Sequence, residues 1–195
     1  DDMNIYIYGV NESKYSGEKI ISNASCTSNA IAPIINTINK KYKILNGNIS
    51  IIHPFNNDQS LLDSAHKDDI RLSRNATINI IPTTSSIGNV LKKVFGINFY
   101  GDSIRVPTSI VAFSNIDLVF DKEISKDEIL NLNFDSKIVG IDSNMLVSSD
   151  FIGDTRSAII ASDLVNINAN TARIGIWFDN ESGYANRLLD MLEVI

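Results

Sequence analysis

With 195 residues, 44% of them hydrophobic, the chain can bury the core of one domain of ordinary size, or of one domain with a remnant of another. Its formal net charge of -6 excludes a broad basic face for nucleic acid or acidic lipid, while a local pocket of two or three arginines is still allowed. The single cysteine precludes an internal disulfide and points to a reducing compartment, the cytoplasm. No apolar run approaches the roughly 20 residues that cross a bilayer, and no signal sequence follows Asp1-Asp2-Met3, so neither membrane nor secretion is expected.

In chain order, Ile5, Ile7 and Val10 mark a strand over residues 4–10, followed by a polar connection over 11–18 and a short extended piece over 19–22. A strand with almost nothing ahead of it reads as a truncation. Ala30, Ile31, Ile34, Ile35, Ile38 and Tyr42 recur at three and four, which predicts a helix over 26–42 with Ser25 as its N-cap. Pro33 cannot donate to the carbonyl of Asn29 and is expected to kink that helix. Asn46-Gly47 reads as a turn, residues 48–53 as a strand, and 54–75 as a long polar loop of a kind that is often functional. A helix over 86–95 is stopped by Gly96. Strands follow over 103–106 and 110–120, then a short helix over 126–132 and β pieces over 164–168 and 171–178. The last helix, 182–195, carries Tyr184, Leu188, Leu192 and Ile195 on one stripe. The fold class is α+β, a mixed, largely antiparallel sheet with helices on one face.

The segment Ser22-Asn23-Ala24-Ser25-Cys26-Thr27-Ser28-Asn29 places the only thiol among hydroxyls at the predicted start of a helix. Unpaired N–H groups and the positive end of the helix dipole favour a thiolate there, and the same N–H groups can hold an oxyanion. A lone cysteine is more often a small packing residue, so the neighbours decide.

Those neighbours resemble the active-site signature S-N-A-S-C-T-T-N of phosphorylating glyceraldehyde-3-phosphate dehydrogenases, with Ser28 in place of the second threonine. Four more segments resemble the family in the same order: Val10-Asn11-Glu12, Asn79-Ile80-Ile81-Pro82-Thr83-Thr84, Arg105-Val106-Pro107-Thr108, and Trp177-Phe178-Asp179-Asn180-Glu181 with Gly183-Tyr184. Asn57-Asp58-Gln59 and His66-Lys67-Asp68 fit its bacterial form. The family opens with a Rossmann domain bearing a G-x-G-x-x-G turn, and nothing in this chain fits that motif. The resemblance therefore implies that residues 1–22 are the tail of the cofactor-binding domain and 23–181 the catalytic domain. Residues 182–195 would form a helix that packs back onto the missing half.

By the same resemblance Cys26 is the nucleophile, and His53 takes the hemithioacetal proton during hydride transfer and holds Cys26 as thiolate beforehand. Arg105 matches the residue that forks onto the substrate's phosphate, a contact lysine cannot reproduce. Ser25 and Thr27 resemble hydroxyl donors for the attacking inorganic phosphate. Asn180 resembles the side chain that orients the nicotinamide carboxamide, and Tyr184 stands beside it in the pattern, although it also belongs to the apolar stripe. His66 resembles a loop segment and reads as structural. Two positions depart from the pattern. Asn56 stands where a substrate-phosphate threonine is usual, and Ser85-Ser86 replace the Thr-Gly that contacts inorganic phosphate.

The resemblance thus implies NAD- or NADP-dependent oxidation of glyceraldehyde 3-phosphate with inorganic phosphate, giving 1,3-bisphosphoglycerate, by a homotetramer with no metal. The alternatives are erythrose-4-phosphate dehydrogenase, with the same thiol chemistry but hydrolytic release, and a non-catalytic binding protein on the same scaffold. This chain alone is expected neither to hold the dinucleotide nor to turn over substrate, because the Gly-rich turn that grips the pyrophosphate is not in it.

Overall fold

Strict alternation of buried and half-buried positions over residues 112–120 is what a strand with one covered face requires, and it forms the centre of the sheet. The computed structural model describes residues 3–67 and 69–195. Asp1 and Asp2, at the head of the 1–22 segment, and Asp68, of the His66-Lys67-Asp68 triplet, lie outside the described residues. Among the described residues the elements run α1 (Cys26–Asn39), β1 (Ile44–Pro54), β2 (Ile81–Thr84), α2 (Ile87–Phe95), β3 (Asn98–Val106), β4 (Ala112–Phe120), α3 (Lys126–Leu130), β5 (Val139–Asp142), β6 (Ala158–Asn168), β7 (Thr171–Phe178) and α4 (Ser182–Leu192).

The strands make one mixed sheet in the order β2-β3-β1-β4-β7-β6-β5. Only β1 with β3 and β5 with β6 pair parallel. The other neighbours are antiparallel. Apolar residues of α1, α2 and α3, among them Ile31, Ile35, Leu91 and Ile129, share one core with Ile49, Ile51, Ile116, Ile174 and Ile176 of the sheet. The opposite face carries only a small cluster, Val111, Phe151 and Ile159 with Trp177 against it, and leaves Ile52 39% exposed. The expected α+β sheet with helices on one face is what forms.

Four local expectations change, each for a physical reason. Residues 4–10 do not add a strand to the sheet; they make a single parallel bridge, Ile5 with Ser22. Asn11 takes the place of a neighbouring strand, since its side-chain oxygen accepts from Ile7 N at 2.8 Å and its amide donates to Ile5 O at 2.8 Å. Gly9, at φ +79°, turns the chain back. Ile7 is fully buried in the same core as α1. Asn46-Gly47 is not a turn but lies inside β1, where a Cβ at Gly47 would fall 2.6 Å from Asp117 O and 2.7 Å from the Phe99 ring. The glycine is there for close approach, not for a bend. The four-residue strands β2 and β5 and the first half of β3 carry too little alternation to be read from the sequence. Finally, α1 ends at Asn39, with Lys41 N and Tyr42 N both closing on Ile38 O. It runs through Pro33 without a break.

Helix α2 lies against β3 through a glycine. A Cβ at Gly88 would strike the carbonyl oxygen of Phe99, and backbone cannot yield as a flexible side chain can. Gly88→Ala is expected to destabilise the protein by about 1–3 kcal/mol, despite alanine's better helix propensity, because overpacking outweighs it. Urea unfolding of the two proteins checks this; an unchanged or raised midpoint would show that the helix lifts off freely.

Helix α4 buries Gly183, Arg187 and Met191. Its stripe of Leu188, Leu192 and the following Ile195 faces outward, 41%, 67% and 60% exposed. Among the described residues no helix is long and apolar enough to cross a membrane.

Candidate active site

Cys26 is the first residue of α1, and the turn before it is held from several sides. Ser25 Oγ accepts from Ser28 N at 3.2 Å as the N-cap. Asn29 Nδ2 donates to Asn23 O at 2.7 Å and Ser25 O at 3.0 Å, tying the incoming loop to the first helical turn. Ala24 sits at φ +57°, an uncommon conformation for a residue with a Cβ. Its N–H is met by Ser22 Oγ at 3.1 Å, and its carbonyl accepts from the Tyr184 hydroxyl at 3.4 Å. Tyr184 therefore reaches from α4 into the cysteine turn rather than joining the exposed stripe.

His53, 4% exposed, comes from the end of β1 on the helix-covered face. Its Nδ1 lies 2.8 Å from the carbonyl of Pro54 and its Nε2 3.7 Å from Cys26 Sγ. A carbonyl can only accept, so Nδ1 carries the proton and Nε2 turns its lone pair to the thiol. That tautomer is what a base for a thiol or a thiol-derived hydroxyl needs. Phe178 packs edge-on against the imidazole, with ring centroids 6.5 Å apart.

Burial of the pair acts against the thiolate that the resemblance implies. Burial pushes the Cys26 thiol above its ordinary value, outweighing the Thr27 hydroxyl and N–H, the Arg105 charge and the cysteine's own N–H, all of which pull it down. Burial likewise holds His53 down at about 4, opposed by the Pro54 contact and by Asp58, and assisted by Arg105. Both shifts favour the neutral forms, in which the imidazole is free to accept a proton.

Arg105, near the end of β3, stands directly beside His53 in the parallel register. With its amide oxygen turned toward the guanidinium, Asn56 accepts from Arg105 Nη1 at 3.2 Å and Nη2 at 3.1 Å. Asn56 also borders an open pocket of about 340 Å³ with Phe55, Asn57, Asp58, Asn180 and Glu181. Asn180 Oδ1 accepts from Val111 N at 3.1 Å, and no hydrogen bond to its Nδ2 is formed among the described residues. Val111 is itself at φ +67°, a strained value for a β-branched residue. Buried Asp179 fixes the start of α4 by accepting from Glu181 N, Ser182 N and Gly153 N, and so sets where Asn180 points.

The fold thus gathers Cys26, Thr27, His53, Asn56, Arg105, Asn180 and Tyr184 around the N-terminus of α1 and the C-terminal ends of β1 and β3. Thr27 is buried with Oγ1 3.9 Å from the thiol, whereas the Ser25 hydroxyl is taken up by its contact with Ser28 Oγ at 3.0 Å. Ser85 and Ser86 follow the last residue of β2. In β2 the partner of Arg105 is Ile81 and that of Asp102 is Thr84, so the strand carries the two serines away from Arg105. Ser85 Oγ instead accepts from Ile87 N at 3.3 Å. His66 accepts from Asp69 N at 3.1 Å, outside the cluster. Sequence reading missed Gln59, whose Oε1 accepts from Asn56 N at 3.1 Å, as well as Asp58 and Val111. Nothing local announces them. Only the fold buries Gln59 or points the Val111 N–H at residue 180.

A thiol at a helix N-terminus, faced by the lone pair of an imidazole and with an arginine beside them, makes a site equipped for nucleophilic thiol chemistry. The sequence pattern described as "Glyceraldehyde 3-phosphate dehydrogenase, C-terminal domain" matches residues 25–180. The glyceraldehyde-3-phosphate dehydrogenase of Helicobacter pylori (strain J99 / ATCC 700824) is 42% identical over 196 residues, covering 96% of this chain and 59% of that protein. That of Buchnera aphidicola subsp. Schizaphis graminum is 34% identical over 206 residues, 100% of this chain and 62% of that one. Glyceraldehyde-3-phosphate dehydrogenase 1 of Kluyveromyces marxianus is 36% identical over 200 residues, 97% and 60% of the two chains. The chain belongs to the glyceraldehyde-3-phosphate dehydrogenase family and contains its C-terminal domain. It spans about three-fifths of the length of these relatives.

Proposed function

We propose that, within the full-length protein, this domain carries out the covalent half of a phosphorylating aldehyde oxidation. Glyceraldehyde 3-phosphate and inorganic phosphate become 1,3-bisphosphoglycerate through a thioester on Cys26. The observation that carries the reading is the 3.7 Å approach of His53 Nε2 to Cys26 Sγ with Nδ1 committed to Pro54 O. His53 removes the thiol proton as sulfur bonds to the aldehyde carbon and returns it to the carbonyl oxygen, which becomes the hemithioacetal hydroxyl while the imidazole is again neutral. The N–H groups at the start of α1 favour negative charge developing on that oxygen. His53 then accepts the hydroxyl proton as the carbon is oxidised, leaving a thioester for phosphate to open. Phosphate takes the acyl group, and the sulfur leaves and regains a proton from the imidazole.

A bound nicotinamide, of NAD or NADP, supplies the two-electron acceptor. The residues present fit its carboxamide end: Asn180 has its oxygen engaged by Val111 and its amide free at the rim of the pocket. The remainder of that cofactor we assign to a part of the protein outside residues 23–181, with residues 1–22 its tail and the outward stripe of α4 packing against it. A homotetramer is supported by the open face of the sheet, where Ile52, Val106, Phe113 and Trp177 line an apolar hollow. A cytoplasmic setting fits a lone reduced cysteine.

Arg105 is assigned to the phosphate of the substrate. Arg105→Lys replaces a fork by a point charge, and is expected to cost about 1.5–3 kcal/mol in kcat/KM for the phosphorylated aldehyde. Kinetics of the full-length enzyme with glyceraldehyde 3-phosphate and with glyceraldehyde check this. An equal loss with both substrates would place Arg105 outside the phosphate site, and full turnover without inorganic phosphate would mean that water, not phosphate, opens the thioester.

A further inference from the structure

The environment of Arg105 holds more donors than acceptors. Both terminal nitrogens share one neutral acceptor, the Asn56 amide oxygen. Arg105 Nε is buried with no partner. Gln59, only 9% exposed, presents its Oε1 to Asn56 N and leaves its Nε2 buried with no partner as well. Buried donors without acceptors are uncommon and call for an explanation. An anion with several acceptor oxygens is the chemistry that completes such a cluster.

Resting on the reading of Arg105 as the phosphate site, we infer that Asn56 is a specificity gate. In the free protein its oxygen fills the arginine fork, and a phosphate monoester enters only by displacing that oxygen, after which the amide turns by half a rotation and donates Nδ2 to the anion. The half-turn exchanges acceptor for donor without changing the side chain's shape, which is the property that distinguishes an amide from a hydroxyl or a carboxylate here. A ligand that does not bring enough negative charge to replace the amide oxygen is left out. The gate selects for a dianionic terminal phosphate against neutral or weakly charged groups.

Calorimetric titration of the full-length protein with glycerol 3-phosphate, and with glycerol as the uncharged control, tests the gate. Asn56→Thr removes the competing oxygen and keeps a hydroxyl donor; it is expected to tighten glycerol 3-phosphate by roughly three- to tenfold, the worth of one neutral hydrogen bond. Asn56→Asp places a charged partner in the fork and is expected to weaken binding by at least about a hundredfold. Neither change should affect glycerol. Arg105→Gln separates the two ideas. If it binds glycerol 3-phosphate as the unaltered protein does, Arg105 is not the phosphate site and the underlying reading falls. If Arg105→Gln abolishes binding while Asn56→Thr binds as the unaltered protein or more weakly, the phosphate site stands and the gate is overturned.

Discussion

Cys26→Ser in the full-length enzyme is expected to reduce aldehyde oxidation by roughly 10⁵–10⁶, the scale on which removal of a covalent nucleophile is felt. A serine hydroxyl is far less acidic than a thiol, and His53, held down at about 4, is too weak a base to ionise it. No second thiol exists in this chain to substitute. The variant should fold normally, because Ser25 still caps α1 and Asn29 still holds the incoming turn. Steady-state rates, with acyl-enzyme sought by mass spectrometry after quenching, measure the effect. Residual turnover above about a hundredth of normal would remove Cys26 from the chemistry.

His53→Asn is expected to lower the rate of aldehyde oxidation by roughly 10²–10⁴, the usual contribution of a positioned acid–base group. It should also change how stability responds to acid, in a direction fixed by linkage. The folded protein binds the imidazole proton less tightly than the unfolded chain does, since burial lowers His53 from 6.5 to about 4. As pH falls through 6.5 the unfolded state takes up the proton first and is favoured. Stability is therefore lost between about 6.5 and 4, by up to about 1.4 kcal/mol per pH unit and about 3 kcal/mol in all. Asparagine cannot titrate, so the difference in unfolding free energy between the two proteins should vary with pH across that window and level off on either side. A difference independent of pH would mean that His53 is not the buried, neutral imidazole seen at the end of β1.

The elements that positioned the chemistry were legible because their signals are local. Ser25 ahead of an i, i+3, i+4 run gave the start of α1, and with it the place of Cys26 at a helix N-terminus. The runs 110–120 and 171–178 read as strands from the sequence, and they form β4 and β7. What failed was long-range. Asn46-Gly47 is a good turn signal, overruled because Phe99 from β3 needs the space at Gly47. Residues 4–10 look like a strand, but Asn11 takes Ile7 N and Ile5 O, and only Tyr6 N and Asn4 O pair across to Ser22. The resemblance pairs Cys26 with His53, 27 positions away, and the structure sets them 3.7 Å from one another. The charge state of the pair was not legible, because a helix N-terminus can be read from sequence and the depth at which it is buried cannot. Burial here outweighs the Thr27 hydroxyl and N–H, the Arg105 charge and the cysteine's own N–H.

The claim on which all of this rests is that Cys26 and His53 act as one unit, and alkylation of Cys26 by iodoacetamide as a function of pH tests it most directly. In the unaltered protein the neutral imidazole can take the thiol proton, so the rate at pH 6–7 should exceed that of His53→Asn by at least about 10². That advantage should fall away near pH 4, where His53 itself takes up a proton, and should vanish at high pH, where the thiol ionises unaided in both proteins. Superimposable profiles for the two proteins from pH 4 upward would contradict the account, because the imidazole would then be a neighbour of the thiol and not its base.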